Sequence, residues 1–395
     1  MPNRSMARNL LLLATCQAIG QAGNTMMFTA TALAVSGVLQ MHDLATLPVT
    51  MQHLGVMLSV FPAAMLMQRM GRRFGFRIGS LFGMAGSSIC GLGLYTGNFI
   101  MMCVGGLVLG YAVASLQMYR FAAVELAPPA MRAKAISWVT AGGVAAGVIG
   151  PTLARITHDQ WVPIYTATYA AMVGIHVVVF CVMSFIRFPP PVKANPIDGP
   201  QRSLWEIAMQ RDYVVAVVAG MIAFGTMSFL MSASPLAIVG CGLPHTEAHW
   251  VIFMHVMGMF VPSFFTGNLI QRFGVLNIML LGTAIFLLGV AAGLLGLSEW
   301  NFRIALTLNG LGWNFLFVGA TTLVTTTYRP SERGKAQALN DFLVFGTTTL
   351  CSLLAGFLQN RLGWFPLNWL SVCLVLIAIV AVGWLRLAKP RLVAA

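Results

Sequence analysis

Charge is what this chain lacks most. Ten Asp and Glu occur among 395 residues, and charged residues of both signs make up only 8%. A soluble globule of this length needs far more charge to cover its surface, so a soluble fold is excluded. No Gly-x-x-x-x-Gly-Lys-Ser/Thr stretch is present, so an ATP-driven pump would need a separate subunit. Cysteine is sparse and odd in number. Six of the seven (Cys16, Cys90, Cys103, Cys181, Cys351, Cys373) lie in apolar runs and Cys241 stands in a loop, so neither a disulfide framework nor a metal pattern follows, and no metal or cofactor is expected. What the chain does have is 58% hydrophobic residues, with 25 Met, 25 Phe and 40 Gly, arranged in spans of roughly 20 apolar residues that are long enough to cross a bilayer. The expected class is an all-α polytopic membrane protein.

Twelve spans follow one another, at about 10–39, 46–67, 77–96, 98–123, 135–156, 163–186, 213–239, 249–270, 276–297, 304–327, 338–358 and 365–385. The first is too long for a signal peptide and is interrupted by Gln17, Gln21 and Asn24, so it reads as an uncleaved helix. Residues 187–212 form the only long polar stretch, with Pro189, Pro190, Pro191, Pro196 and Pro200. Within it, Ser203-Leu-Trp-Glu206 has capping-box spacing and predicts a short amphipathic helix ending near Gln210 at the membrane surface. The expected organisation is an N-terminal six-helix bundle (1–186), a cytoplasmic linker (187–212), and a C-terminal six-helix bundle with a basic tail (213–395).

The formal charge of +13 falls in alternate loops. With a cytoplasmic N-terminus, the two tails and the connections after even-numbered spans hold every Lys and Arg except Arg155, Arg303 and Arg361. This asymmetry predicts that both termini are cytoplasmic. It also explains the excess of base by topology and contact with anionic lipid, so nucleic acid is not an expected partner.

The chain repeats itself. The basic knot Gln68-Arg69-Met70-Gly71-Arg72-Arg73 between spans 2 and 3 returns as Gln271-Arg272-Phe273-Gly274, 203 positions later. Pro129-Ala-Met-Arg132-Ala-Lys134-Ala135 returns as Pro330-Ser-Glu-Arg333-Gly-Lys335-Ala336 at an offset of 201, while Gly55 and Gly258 lie 203 apart and His53 and His255 lie 202 apart. A duplicated six-helix unit predicts a solute site near the midplane, where the repeats meet.

The run Ala64-Met-Leu66-Met-Gln68-Arg69-Met70-Gly71-Arg72-Arg73 resembles the loop motif of the major facilitator superfamily, Gly-x-Leu-Ala-Asp-Arg-x-Gly-Arg-Arg. Gly267-Asn-Leu269-Ile-Gln271-Arg272-Phe273-Gly274 resembles its weaker second copy, and the resemblance extends over essentially the whole chain. It implies a twelve-helix fold in a bacterial inner membrane, a monomer, and alternating access driven by an ion gradient. In that family the motif's acid closes the inner gate by meeting the N-terminus of helix 11. Gln68 stands in its place here, and Asp341 near the start of helix 11 offers an acceptor for its amide. The segments 257–267 and Gly312-Trp313-Asn314-Phe315 resemble a bacterial branch with mostly unassigned substrates, near riboflavin-type vitamin importers.

Asp341 is the one acid expected inside a span, which makes it a proton or gate candidate. The alternative is an interfacial acid paired with Arg120 or Gln68. His53 and His255 stand roughly 25 Å from the inner loops at 1.5 Å per residue, so each is either a proton site or a hydrogen-bonded interior histidine. His176, without a partner in the repeat, reads as the latter. Gln68, Arg69, Gly71, Arg72, Arg73, Glu125, Gln271, Arg272 and Gly274 form the expected gate and loop set. Gln17, Gln21 and Asn24 share one helix face. Helices 1, 4, 7 and 10 line the cavity in the resembling family, which adds Tyr111, Ser115, Ser228, Ser232, Asn309, Trp313 and Asn314 as solute contacts, with interhelical hydrogen bonding as their alternative role.

No deep Lys or Arg joins this lining, so the expected solute is a small neutral or weakly charged organic molecule. The expected activity is secondary transport, as proton-coupled uptake or as proton-antiport efflux of drugs or metabolites. A membrane-embedded enzyme would need a deep His beside an acid, whereas His42-Asp43 and His158-Asp159 lie in loops.

Overall fold

A computed structural model describes residues 4–41, 44, 47–190 and 202–388. Its helices are α1 (Arg4–Val38), α2 (Leu47–Met70), α3 (Arg72–Tyr95), α4 (Phe99–Gln117), α5 (Tyr119–Leu126), α6 (Arg132–Thr157), α7 (Thr166–Met183), α8 (Leu204–Ala208), α9 (Arg211–Gly240), α10 (His245–Phe260), α11 (Ser263–Phe273), α12 (Val275–Leu294), α13 (Glu299–Val324), α14 (Arg333–Leu362) and α15 (Trp364–Ala388). The pair His42-Asp43, linker residues 191–201 and the tail bases Lys389 and Arg391 lie outside the described residues.

Among the described residues, ten helical stretches are long and apolar enough to cross a membrane, and the bent pair α10–α11 supplies an eleventh. At 35 residues, α1 has the length for a twelfth, its apolar run interrupted by three amides. The chain is therefore a multi-pass, all-α membrane protein. Large apolar side chains such as Ile100, Leu288 and Val380 stay exposed, as a lipid-facing surface requires.

The basic knot is tighter than its sequence suggests. Gly71 alone, at φ 90°, separates α2 from α3, so the third helix starts at Arg72 and not near residue 77. Gly274, at φ 85°, makes the same one-residue turn between α11 and α12. Only glycine adopts that backbone without strain, which is why each copy of the knot keeps one. Two spans read as continuous are broken: the fourth at Met118 between α4 and α5, and the eighth near Pro262, where α10 and α11 meet at 41°. A proline inside a helix removes an amide donor and crowds the preceding turn, and the bend follows. The predicted capping box is present, with the Ser203 hydroxyl accepting from the Glu206 amide at 3.1 Å and the Glu206 carboxylate accepting from the Ser203 amide at 2.6 Å.

The structure forms two compact units, residues 1–201 with 330–346, and residues 202–329 with 347–395. The first half of α14 therefore packs with the first seven helices. The core of the first unit gathers Met26, Met27, Leu94, Met102, Tyr169 and Met172. A deep polar tie in it joins the Tyr169 and Thr31 hydroxyls at 3.0 Å, both buried. Thr31→Val keeps the shape and removes the tie, with an expected loss of about 1 kcal/mol, read as a lower melting temperature in lipid nanodiscs. The second unit packs Phe229, Leu230, Phe302, Leu306, Trp364 and Leu367, and the Trp364 indole N–H donates to the Gly293 carbonyl at 3.0 Å.

Candidate functional site

Within the first unit, the knot and the start of α14 are joined by a buried polar network. The Gln68 amide donates to the Ser331 carbonyl at 2.7 Å, just before α14, and its side chain packs where Gly334 leaves room. Arg72 is 3% exposed and donates to Glu125 Oε1 through Nε at 3.0 Å and Nη2 at 2.7 Å, while Nη2 also donates to Gln337 Oε1 at 2.7 Å. Arg333 closes on the other Glu125 oxygen at 3.0 Å. Two cations thus share one carboxylate, a glutamine takes the second Nη2 proton of Arg72, and Nη1 turns to the Met67 sulfur at 3.5 Å.

Asp341 lies in the third turn of α14 and is fully buried, ion-paired with the almost equally buried Arg120 of α5. The Asn340 amide donates to the same carboxylate oxygen at 2.8 Å, and Arg120 also donates to the Gln117 carbonyl at 2.6 Å. The Gln68 amide reaches Ser331 and not Asp341, because α14 begins at Arg333 and carries Asp341 two turns past the mouth of the helix. In the remainder of the knot, Arg69 and Arg73 are exposed, and Arg73 donates to the Ser184 carbonyl. The second copy differs: Gln271, Arg272 and Gly274 are exposed, and Arg272 lies over the Phe273 ring at 5.2 Å.

The polar stripe of α1 is divided. Gln17 lies against Gly142 of α6, Gln21 is half-buried, and the Asn24 Oδ1 accepts from the Gln52 amide of α2 at 3.2 Å. Asn24 and Gln52 line a small chamber with Ser115 and His176. Tyr111 stacks on Phe82 at 4.3 Å. His53 is half-buried, its ring 5.6 Å from that of Phe28.

In the second unit, His255 is fully buried and its Nδ1–H donates to the Leu306 carbonyl at 2.8 Å, while Nε2 has no partner. Asn314 is occupied on both sides: its Nδ2 donates to the Met259 carbonyl at 2.6 Å and to the Ser263 hydroxyl at 2.5 Å, and its Oδ1 accepts from Thr266 at 2.6 Å. These groups flank the α10–α11 break, so Asn314 re-satisfies backbone that the bend at Pro262 sets free. Asn309, one turn and a residue earlier, is as deeply buried, yet both of its amide atoms lack a partner. Trp313 stacks on Phe317 at 4.9 Å and meets the edges of Phe224 at 5.2 Å and Phe260 at 5.9 Å, its indole N–H unpartnered. Ser228 is buried, and the Ser232 and Ser352 hydroxyls meet at 3.3 Å.

Sequence reasoning passed over Gln52, Gln337 and the Ser331 carbonyl. Gln337 stands four residues after Arg333 on one helix face, a spacing that marks it as part of the same cluster. A backbone carbonyl has no sequence signal.

Comparison with known proteins places these features in a family. The family model described as Major Facilitator Superfamily matches residues 10–242 and 216–394. A riboflavin transporter of Brucella anthropi is 37% identical over 387 residues, covering 97% of this chain and 96% of its own. An uncharacterized MFS-type transporter of Bacillus subtilis is 26% identical over 96% of this chain and 92% of its own. Among solved structures, the E. coli fucose:proton symporter superposes with a TM-score of 0.75 at 15% identity, covering 98% of this chain and all of that one. A proton:xylose symporter reaches 0.77 at 13% identity, over 98% of this chain and 97% of that one. At such identities the structures speak for the fold.

Proposed function

Because the chain belongs to the Major Facilitator Superfamily and is a membrane transporter, not an enzyme, we propose that it takes up riboflavin by proton-coupled alternating access. The observation that carries this reading is the 37% identity to the Brucella riboflavin transporter across nearly the full length of both chains. The chemistry of the candidate residues agrees with it. Riboflavin is uncharged, with a planar heteroaromatic ring system edged by amide-like groups and a hydroxylated side chain. Trp313 with its phenylalanines offers aromatic faces, Asn309 has amide atoms free to bond, and Gln17, Gln21, Asn24, Tyr111, Ser115, Ser228 and Ser232 offer further polar contacts. No Lys or Arg sits among them to favour an anion.

The reading includes a six-helix bundle on either side of the 187–212 linker, both termini cytoplasmic in a bacterial inner membrane, and a monomer as the working unit. The network of Gln68, Arg72, Glu125, Arg333 and Gln337, with Arg120–Asp341 beside it, serves in this reading as the inner latch that alternating access must break and remake. Glu125 is its shared carboxylate, and the buried Asp341 beside it is the first proton candidate, with His53 and His255 as further ones. Proton-antiport efflux is the second reading, in which proton and solute occupy the carrier in alternation and not together.

The test is uptake of riboflavin into proteoliposomes containing the purified chain, with and without an imposed inward proton gradient. Saturable uptake above that of empty vesicles, accelerated by the gradient, is the expected result. Flux equal to that of empty vesicles under both conditions overturns the substrate. Uptake indifferent to the gradient keeps the substrate and removes the coupling, and acceleration by an outward gradient selects efflux.

A further inference from the structure

His176 lies on α7, 8% exposed, and faces the small chamber lined by Asn24, Gln52, Ser80, Ser115 and Tyr119. Its ring occupies space left by Gly83 of α3, where a Cβ would overlap the imidazole, and it approaches Gly23 of α1. The Ser115 hydroxyl sits in the room left by Gly79, whose Cβ would come within 2.6 Å of the Ser115 Cβ, and it has no hydrogen-bond partner. Among the described residues, no protein group hydrogen-bonds the His176 ring. The chamber has a cavity volume of about 20 Å³, room for a water molecule.

At the offset of 203 set by the knot, Gly83 corresponds to the buried Phe286, so the second half carries a phenyl ring at the position where the first leaves room for an imidazole.

We propose that this chamber is a proton-binding site, in which His176 and a trapped water take up one proton. The step transfers a proton from hydronium to the ring nitrogen, leaving an imidazolium and water, and forms no other bond. Acceptors for the cation come, through the water, from the Ser115 hydroxyl oxygen and the amide oxygens of Asn24 and Gln52. A buried charge is costly without such partners, so protonation goes together with hydration of the chamber.

The titratable and charged groups around His176 do not compete for this role. Cys16 on α1 lies near the Val179 carbonyl, and Arg77 on α3 covers the Phe180 ring at 4.4 Å, a turn further along α7. Cys90 on α3 meets the Met102 carbonyl, Tyr169 on α7 is tied to Thr31, Cys181 on α7 is exposed, and Arg155 stands near the end of α6. Tyr119 is the other titratable residue of the chamber wall, and no Asp, Glu, Lys or Arg lines it.

This inference rests on the proton-coupled reading above for its purpose, but its test stands apart from any substrate. The full chain, ¹⁵N-labelled at histidine and held in lipid nanodiscs, is followed by NMR from pH 4.5 to 8.5, with His176→Gln assigning the resonance. A resonance that passes from the neutral to the protonated form within this range, and moves in Ser115→Ala, supports the site. A His176 resonance that keeps one form throughout overturns it. In vesicles, the double variant Gly83→Phe with His176→Ala replaces the imidazole with a phenyl ring that cannot ionise, built from the helix where a Cβ would meet the histidine. It is expected to lose gradient-driven riboflavin uptake by on the order of tenfold or more, while riboflavin counterflow at equal pH stays within about twofold of the parent. Unchanged gradient-driven uptake overturns the coupling role, and so does loss of counterflow along with it, which marks a packing role. If the parent itself moves no riboflavin, the substrate reading fails and the NMR titration alone decides the site.

Discussion

Asp341→Asn is expected to cost about 3–5 kcal/mol of stability, because it takes the carboxylate away from an arginine held in the same buried place. The two side chains are 0% and 4% exposed, so water does little to screen either. Asparagine has nearly the shape of aspartate, which excludes a cavity as the cause of the loss. Arg120→Gln is expected to cost less. Once the arginine is gone, Asp341 can take up a proton and become neutral, whereas a guanidinium cannot shed one. The double variant Arg120→Gln with Asp341→Asn removes both charges and should recover most of the loss. Unfolding of the four proteins in nanodiscs gives the cycle, and single-variant costs that simply add, within about 0.5 kcal/mol, would show that the pair is not energetically coupled. If the pair belongs to the latch, riboflavin uptake follows the same order, lowest in Asp341→Asn and partly restored in the double variant.

Gly110→Val is expected to prevent folding or to cost about 3 kcal/mol or more, through backbone contact between α2 and α4. A Cβ at Gly110 would stand 2.5 Å from the Gly55 carbonyl carbon and 2.6 Å from the Gln52 carbonyl oxygen. Neither neighbour is a flexible side chain that can swing away, so the helices themselves must separate, and the packing along both is lost. The second half repeats the arrangement: a Cβ at Gly258, the counterpart of Gly55, would meet the Thr307 carbonyl at 2.5 Å on α13. Small residues at helix crossings are how membrane helices approach closely enough to gain contact energy, with no water to expel. Gly174→Val is the matched control, since nothing lies within 4 Å of a Cβ there. Monodisperse yield in detergent separates the two, and equal yields of Gly110→Val and Gly174→Val would contradict the close approach.

Much of the candidate site can be read from the chain, though unevenly. The knot announces itself twice, and its glycine-centred turn recurs at Gly71 and Gly274. Arg303, one of three bases out of place in the charge pattern, has a local reason: it is clamped by both oxygens of Glu247 and by Glu299 at 3.2 Å. Asn309 and Asn314 look alike in sequence, two amides on one apolar helix. The bend at Pro262 commits Asn314 to α10 and α11, while Asn309 keeps both amide atoms open. His176 is similar. Its sequence signature is an unrepeated histidine, and only the glycines that surround it show that the ring faces a chamber.

The sequence by itself determined the all-α membrane class, the succession of apolar spans, the duplication and the family. Each of these rests on a property carried along the chain: the length of an apolar run, the alternation of basic loops, the spacing of a motif. The tertiary structure alone decided the partners: Gln68 with the Ser331 carbonyl, Asp341 with Arg120, Glu125 between Arg72 and Arg333, and His176 with a pocket of glycines. The physical reason is that a polar side chain in a low-dielectric interior takes whichever complementary group shares its depth and helix face. A break of one residue at Gly71, or of two at Val261 and Pro262, resets both for every residue that follows.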